Sequence, residues 1–425
     1  MRFSEKAPMK FSVRTVRREI PLDVSAAKDG GYSVGFSSEG GNLRGGVGAK
    51  KVVQAPEGQV LSAWFSVGES YALVCESGRV YWKNGDAAAQ YGGVECGGEP
   101  IAVPFDDGDA GLLVSDGTSS FALKSTGVVQ KSAPFTCAAY AYGRLWRTQD
   151  GEKLLYSAPN DPFDFTAERG RGGWIDLPDA KGKIVALFAR ENDIYILREF
   201  GLQKLKARGD EREFAVSDVL SCARVVRGSA AATEQALIWL AEDGLHGVGE
   251  TKIRAFSNLY SGLEQERVRA AAEGDRYYLY ASARLGEEKE AVLGVFDVNT
   301  GGVYFLREAI RGLVQSGQRA QFVTDEGGCV FAPSGAFGSS CRIWQGACDR
   351  PFGERGFLYE AELNARGALV LQVCSEEGSR SVCCAAGSAR VAFNLPGTWF
   401  AFRILSEDCA VDSLTAVYRR GEGLQ

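Results

Sequence analysis

The stretch YALVCESGRVYW (71–82) is an apolar hairpin that turns at Gly78, and six further stretches of this 425-residue chain repeat its pattern. Glycine suits such a turn because it has no Cβ and adopts positive φ at little cost. The six are GLLVSDGTSSFAL (111–123), RLWRTQDGEKLLY (144–156), DIYILREFGLQKL (193–205), ALIWLAEDGLHGV (236–248), YYLYASARLGEEKEAVLGVF (277–296) and RAQFVTDEGGCVF (319–331). The turn glycines of these six stretches are Gly117, Gly151, Gly201, Gly244, Gly286 and Gly327. From Gly78 onward, successive turn glycines lie 39, 34, 50, 43, 42 and 41 residues apart.

One hairpin about every 40 residues predicts a β-propeller, in which small four-stranded sheets, the blades, stand around an axis. A blade cannot bury both of its faces alone, so neighbouring blades must pack together. Further apolar runs would complete the blades, namely VLSAWF (60–65), PIAVPF (100–105), TCAAYAY (136–142), KIVALFA (183–189), SCARVVRG (221–228) and GLVQSG (312–317). They are continuous rather than alternating, as strands packed on both faces require. We expect an all-β chain with seven blades, or six if the first or last hairpin belongs to another unit.

The two ends of the chain lack this rhythm. Residues 1–50 are glycine-rich towards their end and weakly periodic, and we interpret them as an N-terminal arm. Residues 51–349 form the predicted propeller. Residues 350–425 contain six short apolar segments, which predict an appended antiparallel β-sandwich unless some of them close the last blade. One helix is predicted over LYSGLEQERVRAAA (259–272).

The chain is acidic overall, with 48 Lys and Arg against 54 Asp and Glu and a formal net charge of −6. This balance argues against a surface that follows nucleic-acid phosphates, because that affinity comes mainly from Lys and Arg. Residues 1–19 are the exception, with Arg2, Lys6, Lys10, Arg14, Arg17 and Arg18. They could form a solvated arm, dock on an acidic neighbouring subunit or contact DNA.

Two kinds of membrane-related segment are missing from the sequence. The apolar stretch of a secretory signal does not follow the basic residues, and no apolar run is long enough for a transmembrane helix. We therefore expect synthesis in the cytoplasm and no membrane insertion.

The eleven cysteines follow no disulfide or zinc spacing. Several lie in apolar strands, where a thiol behaves as a small hydrophobe. We expect reduced, buried thiols. The one suggestive group lacks the C-x₂₋₄-C pairs of structural zinc sites and consists of Cys374, Cys383, Cys384 and Cys409.

The sequence contains few residues that are arranged for catalysis. His246 is the only histidine, so any Ser–His–Asp or Cys–His system would have to use it. A structural role is favoured, because it lies on the return strand of the fifth hairpin. Turn formation explains the acidic segments FDDGDAG (105–111) and NDPFDF (160–165) better than Ca²⁺ binding or a paired-carboxylate glycosidase. These segments contain Asp106, Asp107, Asp109, Asp161 and Asp164.

We predict no catalytic, cofactor-binding or metal-binding residue. The seven tryptophans stand mostly in strands, so we expect them in the core rather than as platforms for sugar rings.

Five segments follow one another along the chain in an order that is informative. NLRGGVGAKKV (42–52) leads from an Asn to a glycine-flanked basic pair, and RLWRTQDGEKLLYSAPNDPFDF (144–165) places a strand and a tight turn before Ser, Asp-Pro and an aromatic. The others are WIDLPDAKGKIVALFARENDIYILREFGLQKL (174–205), ALIWLAEDGLHGV (236–248) with IRAFSNLYSGLEQ (253–265), and the terminal TAVYRR (415–420). In this order they resemble the propeller-type tail and portal-proximal structural proteins of tailed bacteriophages.

The resemblance implies structural work in a virion, as a ring-forming part of the tail, nozzle or head–tail junction with no active site. It implies contacts with copies of itself, with other tail or portal-proximal proteins and, passively, with DNA in a channel. The protein would be made in the bacterial host cytoplasm and end in the virion. The many cysteines and the basic first nineteen residues depart from the family's pattern. The alternative function is a carbohydrate-binding or carbohydrate-processing propeller that uses the central mouth of the disc.

Overall fold

A computed structural model describes residues 12–22, 32–39, 41–85, 87–97, 99–108, 110–124, 127–190, 193–249, 268–285, 288–332 and 341–422. Most of these residues lie in antiparallel strands. The N-terminal part contributes five strands, β1 (Ser12–Glu19), β2 (Tyr32–Val34), β3 (Phe36–Glu39), β4 (Asn42–Gly45) and β5 (Gly48–Val53).

Four four-stranded blades follow in chain order. Blade one contains β6 (Leu61–Val67), β7 (Ser70–Cys75), β8 (Arg79–Asn84) and β9 (Ala87–Glu95). Blade two contains β10 (Ile101–Asp106), β11 (Ala110–Ser115), β12 (Ser120–Lys124) and β13 (Gly127–Lys131). Blade three contains β14 (Cys137–Ala141), β15 (Arg144–Thr148), β16 (Lys153–Tyr156) and β17 (Gly173–Asp176). Blade four contains β18 (Ile184–Arg190), β19 (Asp193–Arg198), β20 (Gly201–Lys206) and β21 (Ala215–Ser221).

Three further blades complete the ring. Blade five has three described strands, β22 (Ala231–Ala232), β23 (Ala236–Ala241) and β24 (Gly244–Gly249). Blade six contains β25 (Arg269–Glu273), β26 (Arg276–Leu285), β27 (Glu288–Asp297) and β28 (Val303–Leu306). Blade seven contains β29 (Gly312–Ser316), β30 (Arg319–Thr324) and β31 (Gly327–Ala332), and β5 from the N-terminal part is its fourth strand.

The chain is therefore a seven-bladed propeller, and each of the seven predicted hairpins is the second and third strand of one blade. Gly78 and Gly151 lie in turns as predicted, and both have the positive φ that glycine allows, 81° and 82°. Gly286 lies outside the described residues. The Gly151 turn also bonds to the next blade, because its carbonyl accepts a hydrogen bond of 2.7 Å from the Ile184 N–H of β18. The Gly78 carbonyl accepts one of 2.8 Å from the Cys96 N–H, just after the outermost strand of its own blade.

Apolar side chains fill seven clusters, one between each pair of neighbouring blades. The cluster between blades seven and one closes the ring. It packs Val53 of β5 with Trp64 and Leu73 of blade one and Val323 of blade seven, and the Trp64 indole N–H donates to the Phe322 carbonyl at 3.0 Å. The prediction of core tryptophans is confirmed for the five that are buried, Trp64, Trp82, Trp146, Trp239 and Trp344.

Two local predictions are wrong. The predicted helix over 259–272 is contradicted at its end, because Arg269–Glu273 form β25, and residues 259–267 lie outside the described residues. Ala271 packs towards blade seven and Ala272 towards blade five, so their small side chains fit a strand between two blades despite their helix propensity. SCARVVRG (221–228) forms no inner strand either, and the short β22 takes that place. Its Val225 is nonetheless buried, and the Val225 N–H donates to the Glu199 carbonyl at 2.8 Å.

The C-terminal region is an antiparallel sandwich, as predicted. Its strands are β32 (Arg342–Gln345), β33 (Gly356–Arg366), β34 (Leu369–Ser375), β35 (Gly378–Cys384), β36 (Gly387–Gly397), β37 (Ala401–Ser406) and β38 (Ala410–Glu422). One sheet has the order β3-β4-β38-β33-β36, with β1 also paired to β38. The other has the order β2-β32-β37-β34-β35, and β2 pairs with the outermost strand β28 of blade six. Propeller and sandwich therefore share one continuous nine-stranded sheet.

Where residues 1–50 are described, they are built into both units rather than forming a separate arm. Strands β1, β3 and β4 belong to the sandwich, β2 links it to blade six, and β5 closes blade seven. Arg17 binds Glu362, and Arg18 binds Asp349 at 2.8 Å, so this part of the basic stretch is not a solvated arm. The division at residues 50 and 350 stays a prediction, although β32, which precedes residue 350, lies in the sandwich sheet.

We expect Trp64→Phe to lower the free energy of unfolding by about 2 kcal/mol, because it removes the bond to Phe322 and leaves a gap where the ring closes. The matched control is Trp174→Phe, because Trp174 is 50% exposed on β17. It should change stability by less than about 0.5 kcal/mol. Urea unfolding monitored by circular dichroism measures both, and equal effects would contradict the closing role of Trp64.

Candidate functional site

A cavity of about 530 Å³ lies on the propeller axis. Strands β10, β14, β18, β25 and β29 form most of its wall, largely with small or aliphatic side chains such as Ala102, Ala138, Ala270 and Val314. These strands are the inner edges of their sheets, so backbone groups without a ladder partner also face the cavity. The wall thus combines apolar side chains with backbone hydrogen-bonding groups.

An ion pair crosses one mouth of this channel. Arg269 of blade six binds Glu99, which precedes blade two, with Nε and Nη2 at 2.9 and 2.5 Å from Oε1. Arg269 also donates to the carbonyl of Arg311, and the Arg311 guanidinium binds Glu76 at 3.1 Å and Asp325 at 2.6 Å. Side chains from blades one, two, six and seven therefore form one charged network.

A second contact crosses the channel further along the axis. The Gln315 side-chain amide of blade seven donates to the carbonyl of Ala232 in blade five at 3.1 Å, past blade six. Gln315 and Ala232 are themselves part of the cavity wall, so this contact spans the cavity. We infer that these contacts restrict passage along the axis of a single propeller.

The face that carries the turns between second and third strands is acidic. Each described turn of this kind contains at least one carboxylate, from Glu76, Asp116, Asp150, Glu152, Glu199, Glu242, Asp243, Asp325 or Glu326. Cations of the following blade bind some of them, as Lys183 binds Glu152 and Arg227 binds Glu199, both at 3.5 Å. Burial, with the charges of Glu326 and Asp325, raises the pKa of Glu308 on the same face.

His246 lies where the sequence placed it, on the third strand of blade five. Its Nε2 is 2.7 Å from Asp243, and its ring stacks on Trp239 with centroids 5.9 Å apart. Both contacts lie within one hairpin on the outer part of the blade, away from the axial cavity. This environment agrees with the structural role that we favoured.

The described aspartates of the two acidic segments act in turns. Asp106 accepts a hydrogen bond from the Gly108 N–H at 2.9 Å, and Asp161 from the Phe163 N–H at 3.0 Å. Asp107 binds Lys124 at 2.7 Å. Asp164 accepts hydrogen bonds from Thr166 and binds Arg171, and these contacts lower its pKa to about 2. Asp109 lies outside the described residues.

Most of the cysteine side chains lie in the core as small buried residues. Six are buried, namely Cys75, Cys96, Cys137, Cys329, Cys384 and Cys409. Burial raises the pKa of Cys75 to about 11 and those of Cys96 and Cys137 to about 12. In the part of the chain that the structure describes, no three His, Cys, Asp or Glu side chains are placed to hold a metal ion.

Sequence reasoning missed a set of buried arginines that brace blades three and four. Arg144 donates to the Ser157 carbonyl at 2.6 Å and to that of Arg171, and it binds Glu211 at 3.1 Å. Arg198 donates through Nε to the Gly182 carbonyl at 2.7 Å and binds Asp179 at 3.3 Å. The only sequence signal is an arginine at the first position of β15 and at the last position of β19, which resembles an exposed strand end.

No protein-family model and no curated protein matches this sequence. Among solved structures, the chain is similar to BamB from Moraxella catarrhalis, with 11% identity over 77% of this chain and 98% of that one and a TM-score of 0.40. It is also similar to virginiamycin B lyase from Staphylococcus aureus, with 10% identity, coverage of 76% and 99%, and a TM-score of 0.40. A third similar structure is Raptor from Chaetomium thermophilum, with 11% identity, coverage of 68% and 29%, and a TM-score of 0.46. These likenesses concern the fold and carry no argument about activity or partners.

Within the described residues, no helix is both long enough and apolar enough to cross a membrane.

We expect Arg144→Leu to lower the free energy of unfolding by about 2–4 kcal/mol, because it leaves buried carbonyls and the Glu211 carboxylate without their donor. Arg212→Leu is the control, because Arg212 is exposed in the short 3-10 turn Glu211–Glu213 next to the same site. It should stay within about 0.5 kcal/mol of the parent protein in urea unfolding. A loss as large in the control would show that the contacts of Arg144 are not the cause.

Stability should fall in alkali because of the buried thiols. Unfolded thiols titrate near about 8.5, whereas the folded Cys137 keeps its proton to about 12, so only the unfolded chain loses protons between these values. The contribution is complete below about pH 8.5 and is lost as the pH approaches 12. Between pH 8 and 10.5, Cys137→Ala should lose less stability than the parent, by up to about 2 kcal/mol. Cys383→Ala, at an exposed position, should follow the parent, and identical pH slopes for all three would refute this account.

Proposed function

We propose that this protein is a structural component of a tailed-phage virion, acting through protein–protein contacts in a ring of the tail, nozzle or head–tail junction. The observation that carries the proposal is the serial order of the segments that resemble such proteins. These segments also occupy key positions in the fold. NLRGGVGAKKV (42–52) covers β4 and most of β5, and so runs from the sandwich into the strand that closes the propeller. RLWRTQDGEKLLYSAPNDPFDF (144–165) builds β15, β16 and the loop that Arg144 holds.

The architecture supports a load-carrying role. A closed propeller that shares a continuous sheet with a sandwich resists bending between its two parts, because hinge motion would break a strand ladder. Such a unit can hold neighbouring subunits at fixed angles.

The charge of the turn face supports passive contact with DNA. Its carboxylates repel phosphates, and a surface that must not retain DNA needs this sign of charge. On this proposal, DNA would pass outside the propeller axis, because the contacts of Arg269 and Gln315 cross that axis.

The test is quantitative mass spectrometry of purified particles from a lysed producer culture, with the major capsid protein as internal standard. We expect a fixed ratio of about a few to a dozen copies per particle, as one ring requires. An abundant host cytoplasmic protein is the control for carry-over. Absence from particles, with the protein left free in the lysate, would overturn the proposal and favour the carbohydrate-binding alternative, which a glycan array then tests.

A further inference from the structure

Arg147 on β15 is nearly buried, at 8% exposure, and yet it binds no carboxylate of the described residues. Its Nη1 donates to the Ala133 carbonyl at 2.5 Å, and its guanidinium carbon lies 4.0 Å from the centre of the Phe165 ring. Neither Nε nor Nη2 has a hydrogen-bond partner in the part of the chain that the structure describes. Burial lowers the pKa of Arg147, and no described charge nearby opposes that effect.

The unbonded edge of this guanidinium has the shape that a carboxylate requires. Nε–H and Nη2–H lie in one plane and point the same way, so they can donate two parallel hydrogen bonds to the oxygens of one carboxylate. A buried charge without a counter-charge is costly, because it has lost its hydration and gained no partner. Arg144 on the same strand is also buried, but Glu211 binds it at 3.1 Å. Arg147 is thus placed for an anion that the described residues do not supply.

An exposed indole lies on the same face of blade three. Leu145, two positions before Arg147, packs with Val103 of blade two, so the Arg147 side chain also points towards blade two. Arg147 pairs with Leu155 of β16, and Leu155 pairs with Trp174 of the outermost strand β17. Directly paired residues share one face of a sheet, so these three side chains form a row. Trp174 is 50% exposed, so blade two does not cover the outer end of this row.

Two charged side chains stand beside the indole. Lys153 and Asp176 pair with each other two positions along the same strands, which places them on the same face as Trp174. The Lys153 ammonium lies 5.4 Å from the centre of the Trp174 ring and 3.8 Å from the Asp176 carboxylate, and the indole N–H donates to Asp176 at 3.2 Å. Both charged side chains are more than half exposed, so they have further hydrogen-bonding capacity open to a ligand. We call Arg147, Lys153, Trp174 and Asp176 the blade-three site.

The chemistry of this site suits a sugar ring that carries a carboxylate. The face of an indole ring packs against the C–H groups of a sugar ring, and Lys153 and Asp176 can bond to its hydroxyls. Neighbouring strands lie about 4.8 Å apart, so the backbones of Arg147 and Trp174 are separated by about 10 Å. A ring held against Trp174 therefore brings its carboxylate towards the free edge of Arg147.

We propose that the blade-three site binds a sugar residue that carries a carboxylate, with the acid group on Arg147 and the ring against Trp174. The inference does not rest on the virion role, because all four side chains belong to one blade of one chain. It also concerns a place other than the axial mouth, which the carbohydrate-binding alternative would use.

The test measures binding of D-glucuronate to the full chain by saturation-transfer NMR and isothermal titration calorimetry. D-Glucose, which has the ring without the acid, and acetate, which has the acid without the ring, are the reference ligands. We expect D-glucuronate to bind at least about tenfold more tightly than either, because it alone engages both Arg147 and Trp174.

Two variants remove the two halves of the site. Arg147→Gln should weaken D-glucuronate binding at least about tenfold, because a charge-assisted pair of hydrogen bonds is lost, and Trp174→Ala at least about fivefold, because the stacking surface is lost. Arg212→Leu and Phe200→Ala are the matched controls and should bind as the parent does, because each removes an exposed arginine or aromatic side chain from blade four. Circular dichroism establishes that the variants are folded. Trp174 is exposed, so its variant tests the site even if Arg147→Gln does not fold.

Four results would overturn the inference. They are no saturation transfer to D-glucuronate, equally tight binding of D-glucose, equally tight binding of acetate, and binding that Trp174→Ala leaves at the level of the parent. A short peptide with one glutamate is the remaining comparison. If it binds as tightly as D-glucuronate, the site takes acidic peptides and the assignment to a sugar is wrong.

Discussion

The packing of each blade between two neighbours is the constraint on which the rest of this structure depends. A four-stranded sheet with apolar side chains on both faces is not stable in water until both faces are buried. Six of the interfaces form between blades that follow each other in sequence, but the seventh has to join the last blade to the first. Strand β5 meets that need by crossing to blade seven, where Val53 packs with Trp64 and Val323. Both ends of the propeller segment are thereby held in one sheet.

The sandwich follows from the same use of strand edges. The outermost strand β28 of blade six would present an open edge, and β2 covers it and continues the sheet into β32 and β37. The N-terminal segment thus passes through both units, with Phe36 and Leu43 in the sandwich core and Val53 in the propeller. Because strands distant in sequence share one sheet, the two units are expected to unfold together, and neither is a simple appendage of the other.

Polar and charged groups add further contacts within and between the blades. Arg144 satisfies carbonyls of the loop after β16, and Arg269 and Gln315 join blades that do not touch through a shared sheet. Charged groups of the described residues thus make several of the contacts between blades.

The sequence by itself determined the local elements of this protein. Turn glycines such as Gly78 and Gly151, each between two apolar runs, specify hairpins, because backbone freedom and side-chain burial act over a few residues. Their spacing indicated seven blades or six, and the structure gives seven. The roles favoured for His246 and the turn aspartates came from their immediate neighbours. Only the tertiary structure decided that residues 48–53 close blade seven, that Arg269–Glu273 form a strand rather than a helix end, and that Arg144 is buried. The physical reason is that these outcomes depend on which edges, carbonyls and apolar faces remain unsatisfied after the blades assemble, and those groups come from parts of the chain far apart in sequence.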